Sequence, residues 1–284
     1  MGWGKLAGWT AALAGLAWAM HGVPLQAFAD GMHGTRWTWL VLGLAMDVTG
    51  YVLQGWRWQV LLDGWSVRKA TQAVYSGLFT NEILPMRLGE ALRGWLAAQW
   101  TGHDWRSVAR SIVMERVLDG AWLAAGLGLA AHAVQLPGVL RPAANWAPWV
   151  AAVSLLAAVG WAGRHYGWKR ASGAAAVSAL VLITQAFAFA FLGEAFSLPL
   201  PLWKIVVVLL VVRAGTAIPN APANIGSFQF FTVLGLTTLG VAKAQAAAFS
   251  LFVFVLLTLP LWSIGLLALR ASGFDLARVR AELA

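Results

Sequence analysis

Two tight groups of ionisable side chains interrupt apolar sequence: Glu82, Arg87, Glu90 and Arg93, then Glu115, Arg116 and Asp119. Ionisable groups at membrane depth are costly, face the interior of a bundle, and mark functional positions by default. If a helix restarts after Pro85, Arg87, Glu90 and Arg93 follow one another at three-residue spacing, so the carboxylate is flanked by two guanidiniums along one face. Such a group can hold an oxyanion, or it can be a self-neutralised structural network. The excess of arginine favours the oxyanion, because a guanidinium grips phosphate oxygens bidentately and an ammonium does not. Glu115 and Asp119 lie four apart and Arg116 and Asp119 three apart, which suits an intrahelical pair. It equally suits Arg116 aimed at a headgroup while an acid orients an arginine of the first group.

Further candidates lie outside these groups. Arg213, isolated in an aliphatic run, is a substrate-binding cation or a side chain that snorkels to the membrane face. Asp47, midway along an apolar stretch, is a counter-ion or a proton carrier, and with Glu115 and Asp119 it makes up a candidate charge network. Arg57, near the end of the same stretch, is expected to snorkel. Asn81, Asn220 and Asn224 can satisfy freed backbone groups or bind substrate. The five histidines are scattered without a metal-ligand spacing and there is no cysteine. No metal, other cofactor, disulfide or thiolate chemistry is expected.

The elements that must position these residues are apolar helices, two of them broken. The chain is 60% hydrophobic and 11% charged, with mean hydropathy +0.70, against about a quarter charged in soluble domains. It reads as an all-α integral membrane protein in one transmembrane domain, residues 1–284. Spans of roughly 20 apolar residues fall near 5–22, 38–62, 107–134, 146–163, 173–196 and 244–270, the first taken as a retained span rather than a cleaved signal. Residues 70–101 and 203–240 are cut by Pro, Asn and Gly, at Pro85 and Gly89 and at Pro222 and Gly226. Each reads as a re-entrant hairpin, since broken backbone survives at membrane depth only inside protein or beside a wet cavity. The amide groups that follow Leu88 and Gly226 are expected to point into the site and favour an anion.

Pro85 with Pro222, Gly89 with Gly226, and Arg106 with Lys243 match at one constant offset. Two units of three spans and a hairpin, about 1–135 and 146–271, then form an inverted repeat with six spans and two re-entrant hairpins, meeting at a midplane site. Basic residues concentrate in the loops that a cytoplasmic N-terminus places inside, so both termini are expected in the cytoplasm of a bacterial inner membrane. The same loops account for the net charge of +9 without nucleic acid. Trp37, Trp39, Trp56, Trp58, Trp95, Trp100, Trp146, Trp149, Trp161 and Trp168 read as interfacial, and Trp18, Trp122 and Trp262 as core.

The run from Asn81 to Arg93, Asn-Glu-Ile-Leu-Pro-Met-Arg-Leu-Gly-Glu-Ala-Leu-Arg, with Glu115-Arg116-Val117-Leu118-Asp119, resembles the flippase-like transmembrane domain family. That family comprises the membrane half of lysylphosphatidylglycerol synthases and stand-alone relatives, some of them hopanoid-associated. Pro222-Ala223-Asn224-Ile225-Gly226 extends the likeness to the second half. The resemblance implies movement of an anionic phospholipid or other lipid-linked molecule between leaflets, with Arg87, Glu90, Arg93, Glu115, Arg116 and Asp119 on the family motif. Relatives commonly carry a glutamate three residues after the second glycine, where this chain has Gln229, which puts a proton role there in doubt. The aminoacyl-transfer domain of the synthases is absent, so no lysyl-lipid synthesis is expected.

The reading that follows is a non-enzymatic lipid translocase with an arginine-lined cavity between the hairpins, its substrate a membrane lipid held by Arg87, Glu90, Arg93, Arg116, Arg213, Asn81 and Asn224. The rivals are a membrane-embedded transferase using a lipid-linked donor, and a non-transporting scaffold subunit. A homo-oligomer or a partner protein of a lipid pathway is compatible with the sequence.

Overall fold

A computed structural model describes residues 3–24, 26, 34–84, 88–133, 141–217 and 222–274. Among the described residues there are ten α-helices, one short 3-10 turn and no strand. In chain order they are α1 (Trp3–Met20), α2 (Trp37–Leu61), α3 (Val67–Ile83), α4 (Gly89–Thr101), α5 (Trp105–Ala133), α6 (Arg141–Tyr166), α7 (Trp168–Ala195), α8 (Leu202–Ala217), α9 (Ser227–Thr238) and α10 (Lys243–Ala271). Each apolar stretch read from the sequence coincides with one helix, and each interrupted stretch with two. α7 and α10 are long and apolar enough to cross a membrane, with mean hydropathy 2.1 and 2.4 over their best windows. α2 has 25 residues, about 37 Å at 1.5 Å per residue, but tryptophans, Asp47 and Arg57 lower its hydropathy.

Local chemistry sets the breaks. Leu84, the residue before Pro85, is extended at φ −99°, ψ 141°, as the proline ring demands of its predecessor. α3 therefore ends there and α4 begins at Gly89; Pro85 and Arg87 themselves lie outside the described residues. In the second half the chain leaves α8, turns through Pro222–Asn224, and enters α9 after Gly226 at φ +86°. Ala223 and Asn224 adopt the left-handed region at φ 57° and 53°, a conformation costly for Ala and tolerated by Asn.

α2 and α7 form the most extensive helix pair in the bundle. A Cβ on Gly43 would sit 2.9 Å from Leu192 Cγ and one on Gly50 3.2 Å from Thr184 Oγ1, so missing side chains set the close approach. The pair is antiparallel and clasped at both ends. Arg36 Nη1 lies 3.1 Å from Glu194 Oε2 at one end; at the other, Asp63 receives Arg170 Nη2 at 2.6 Å and His103 Nε2 at 3.1 Å. α3 packs on α2, α4 and α10; α8 packs on α7, α9 and α5; α1 lies on α9 and α6 on α5.

Tryptophan exposure separates belt from core. Trp37, Trp146, Trp149 and Trp168 are all more than 60% exposed. Trp58, read as interfacial, is instead completely buried and donates from Nε1 to Ser111 Oγ at 2.9 Å. Trp18 and Trp262, read as core, are 41% and 44% exposed, whereas Trp122 is partly buried and donates to the Ala175 carbonyl.

The Arg170 guanidinium holds the Asp63 carboxyl below the usual carboxylate range, chiefly through their hydrogen bond. A depressed carboxyl contributes stability that is present above its unfolded value and lost as pH falls through its folded value. Both partners are about half exposed, so solvent screening limits the pair to about 0.2–1 kcal/mol. Asp63→Asn is expected to lower the melting temperature by a degree or two at pH 7, and the difference from wild type should shrink as pH falls through the folded value of the carboxyl.

Candidate functional site

Arg57, Arg93 and Arg116 meet Glu90, Glu115 and Asp119 in one continuous ion network where α2, α4, α5 and α7 converge. Arg57 is its centre. Its Nε and Nη2 donate to Glu115 Oε1 at 3.2 and 3.1 Å, its Nη1 to Ser178 Oγ at 3.1 Å, and both terminal nitrogens face Asp119. The side chain is 1% exposed. The expectation that Arg57 snorkels is therefore wrong: α2 is pressed against α5 and α7 there, and two carboxylates supply what water would otherwise provide.

Arg93 is drawn inward by the same acids. Its Nε donates to Glu90 Oε2 at 2.7 Å, and its Nη2 lies 2.8 Å from Glu115 Oε2, off the direction of an aligned hydrogen bond and so held by charge. The guanidinium covers the Trp58 ring at 4.6 Å. Among the described residues Glu90 is held by Arg93 and by Arg116, whose Nη2 donates to Glu90 Oε1 at 2.7 Å. Arg87 lies outside the described residues. Arg116 Nη1 is also 3.6 Å from Asp119 Oδ2, the intrahelical pair allowed by the sequence. Arg116 remains 47% exposed.

That open edge borders a cavity of about 250 Å³ between the two broken helix pairs. Arg116 and Asp119 line it from α5, Asp47, Tyr51 and Gln54 from α2, Glu82 from α3, Gln185 from α7, Arg213 from α8 and Asn224 from the 3-10 turn. Phe189, Phe228, Phe254, Leu257 and Leu261 make an apolar wall. Arg213 is exposed and lines the cavity; it forms no ion pair among the described residues. Of the expected substrate-binding arginines that are described, Arg116 and Arg213 reach the cavity and Arg93 does not. The expected arginine-lined pocket is thus of mixed sign, with two guanidiniums and three carboxylates.

The breaks are closed by side chains. Asn81 Oδ1 accepts from the Gly89 amide at 2.8 Å, and Gln229 Oε1 accepts from the Gly226 amide at 2.7 Å. The Gly89 amide, the first after Leu88, is therefore occupied, against the expectation that it faces an anion, and the Gly226 amide is capped in the same way. Gln229 is 2% exposed, and its role is a cap. α3 and the Pro222–Asn224 turn are in contact, so the arms of the two broken pairs meet beside the cavity. Among the described residues no cluster of His, Asp or Glu has the arrangement of a metal site.

Gly89 and Gly226 are close-approach positions. A Cβ at Gly89 would lie 1.8 Å from the Gly77 carbonyl oxygen, and one at Gly226 1.9 Å from that of Ala12. Gly89→Ala is expected to cost about 2–4 kcal/mol, combining overpacking with loss of the Asn81 cap. Gly120→Ala, with nothing within 4 Å, should be neutral or favourable by up to about 1 kcal/mol. Chemical unfolding of the two variants checks the difference.

Sequence reasoning missed Arg57, Tyr51, Gln54 and Gln185. The signal for the first three is a polar stripe at three- and four-residue steps, Asp47, Tyr51, Gln54 and Arg57, on an otherwise apolar helix. Gln185 gave no such signal.

Fold and site define a helical membrane protein with a buried ion network beside a polar cavity. The family model described as the lysylphosphatidylglycerol synthase TM region matches residues 5–166 and 162–268, and the chain belongs to that family. No curated protein and no solved structure matches it.

Proposed function

We propose that the protein is a lipid translocase that moves an anionic phospholipid, or another lipid-linked substrate, between the leaflets of a bacterial inner membrane. The observation that carries the proposal is the cavity at the meeting of the two broken helix pairs, with Arg116 and Arg213 open to it and an apolar wall opposite. Its volume suits a headgroup and not a whole lipid, so acyl chains stay in the bilayer while the phosphate meets the guanidiniums. The assigned work is transport, with no bond made or broken in the substrate.

In this reading α3–α4 and α8–α9 are re-entrant hairpins entering from opposite faces. α4, α8 and α9 have 13, 16 and 12 residues, about 18–24 Å each and shorter than the hydrocarbon core. Residues about 1–135 and 146–271 are the two copies of an inverted repeat in a single domain. Support comes from exchangeable packing: α3 on α10 answers α8 on α5, α3 on α2 answers α8 on α7, and the α2–α7 pair lies between the copies. α1 and α6 depart from the exchange, one lying on α9 and the other on α5. Rocking one copy against the other would open the cavity to each leaflet in turn. The loop charges support a cytoplasmic position for both termini.

The test is a reconstituted-liposome assay of fluorescent phospholipid accessibility to an external quencher. Faster exchange than in empty vesicles is expected for at least one phosphate-bearing lipid. Equal rates across several headgroups remove the proposal.

A further inference from the structure

The ion network closes on itself, three guanidiniums against three carboxylates, and what it leaves in the cavity is Arg213 against Asp47 and Glu82. An arriving phosphate therefore meets a remainder with one more negative charge than positive. Something must offset that charge for an anionic headgroup to stay.

Asp47 is placed to do so. It stands ten residues into a 25-residue helix, about 15 Å from the nearer end. It is 8% exposed, lines the cavity, and its Oδ2 has no hydrogen-bond partner among the described residues. Its Oδ2 atom is closed to a water-sized probe. A ligand atom cannot contact that oxygen, so the carboxyl is not clasped on both oxygens by an ammonium or a metal ion, whereas a proton on either oxygen neutralises it without filling the cavity. Resting on the translocase reading, we propose that Asp47 is a proton-binding site, and that its protonation accompanies the arrival of a phosphate headgroup at Arg213 and Arg116.

The groups facing it agree with a single coupled proton. α3 presents Tyr75, whose hydroxyl is also buried without a partner, and Glu82; the Tyr51 ring of α2 lies tilted against that of Tyr75 with centroids 5.2 Å apart. α8 presents Arg213, and α5 presents Arg116 and Asp119, already paired with each other. α7 presents the neutral Thr184 and Gln185, the latter with an unmatched Oε1 acceptor, and the cavity face of α10 carries no ionisable group. Of these unmatched groups Gln185 Oε1 can only accept, and a proton on Asp47 adds a donor beside it, while the Tyr75 hydroxyl can serve either protonation state. By linkage, a headgroup that favours the protonated form is itself bound more tightly at lower pH.

The experiment uses the full chain in phosphatidylcholine nanodiscs, with phosphatidylglycerol as the probe lipid. Infrared difference spectra on adding the probe should show a protonated-carboxyl band, told from the lipid ester carbonyl by its shift in deuterium oxide, that Asp47→Asn removes. Probe affinity should rise by up to about tenfold per unit fall in pH within the coupled range. Asp47→Asn should bind with no such dependence, and Glu82→Gln should retain it. Probe binding in the wild type that is independent of pH and adds no carboxyl band, a band that survives in Asp47→Asn, or no probe binding at any pH would overturn the proposal. Proton-linked binding without lipid exchange in liposomes would sink the translocase reading and leave this site standing.

Discussion

Glu115→Ala is expected to cost about 3–5 kcal/mol and to leave little folded protein at ordinary temperature, because it strands two buried guanidiniums at once. Glu115 is completely buried, and its two oxygens serve Arg57 on one side and Arg93 on the other, both at most 5% exposed. Stability of a typical domain is only about 5–15 kcal/mol, so the loss consumes much of it. Arg57→Ala should be similarly severe, since it abandons Glu115 and Asp119 together. In a double-mutant cycle the second substitution should cost less than the first by about 0.5–3 kcal/mol, as partners in one network do not add. Unfolding in detergent, followed by tryptophan fluorescence, gives both numbers. Additive losses would mean that Arg57 and Glu115 stabilise the bundle separately.

That network also explains which features were legible in the sequence. Helix positions were readable because the bilayer imposes a minimum apolar length, and the breaks because proline dictates the conformation of Leu84 and glycine admits the positive φ of Gly226. The groups Glu90, Arg93, Glu115, Arg116 and Asp119 were found as a set, since charge in apolar sequence is conspicuous. The pairs Glu90 with Arg93 and Arg116 with Asp119 were readable from spacing, but the centre of the network was not, because it depends on helix packing that brings in Arg57 from α2 and Ser178 from α7. A lone arginine near a helix end looks like one that reaches for water; nothing local says that two acids await it. For the same reason the division of arginines between network and cavity was hidden. Arg93 and Arg116 are similar in sequence context, yet one lies under Trp58's ring face and the other opens on the cavity. Gln229 looked like a lost carboxylate and is an amide cap for Gly226; a side chain three residues into a helix reaches back to the preceding amide whether or not it is charged.

Arg213→Ala should separate function from folding, the reverse of the behaviour expected at Arg57. Arg213 lines the cavity and contributes to no ion pair among the described residues, and the buried Asp47 carboxyl that faces it can take up a proton when the cation is lost, which limits the cost to the fold. A charge-assisted hydrogen bond to phosphate contributes about 1.5–3 kcal/mol, which corresponds to a loss of about 10- to 150-fold in headgroup affinity. In the liposome assay this should appear as a matching fall in exchange rate at low lipid load, with the unfolding profile within about 1 kcal/mol of wild type. Arg213→Lys should keep part of the rate, since charge persists while the planar bidentate grip is lost. The comparison with Arg116→Ala is the informative one. Arg116 also holds Glu90 and Asp119, so its loss should reduce stability as well as exchange. If Arg213→Ala exchanges lipid at the wild-type rate, the phosphate is not held from α8, and the cavity must draw its selectivity from α5 alone.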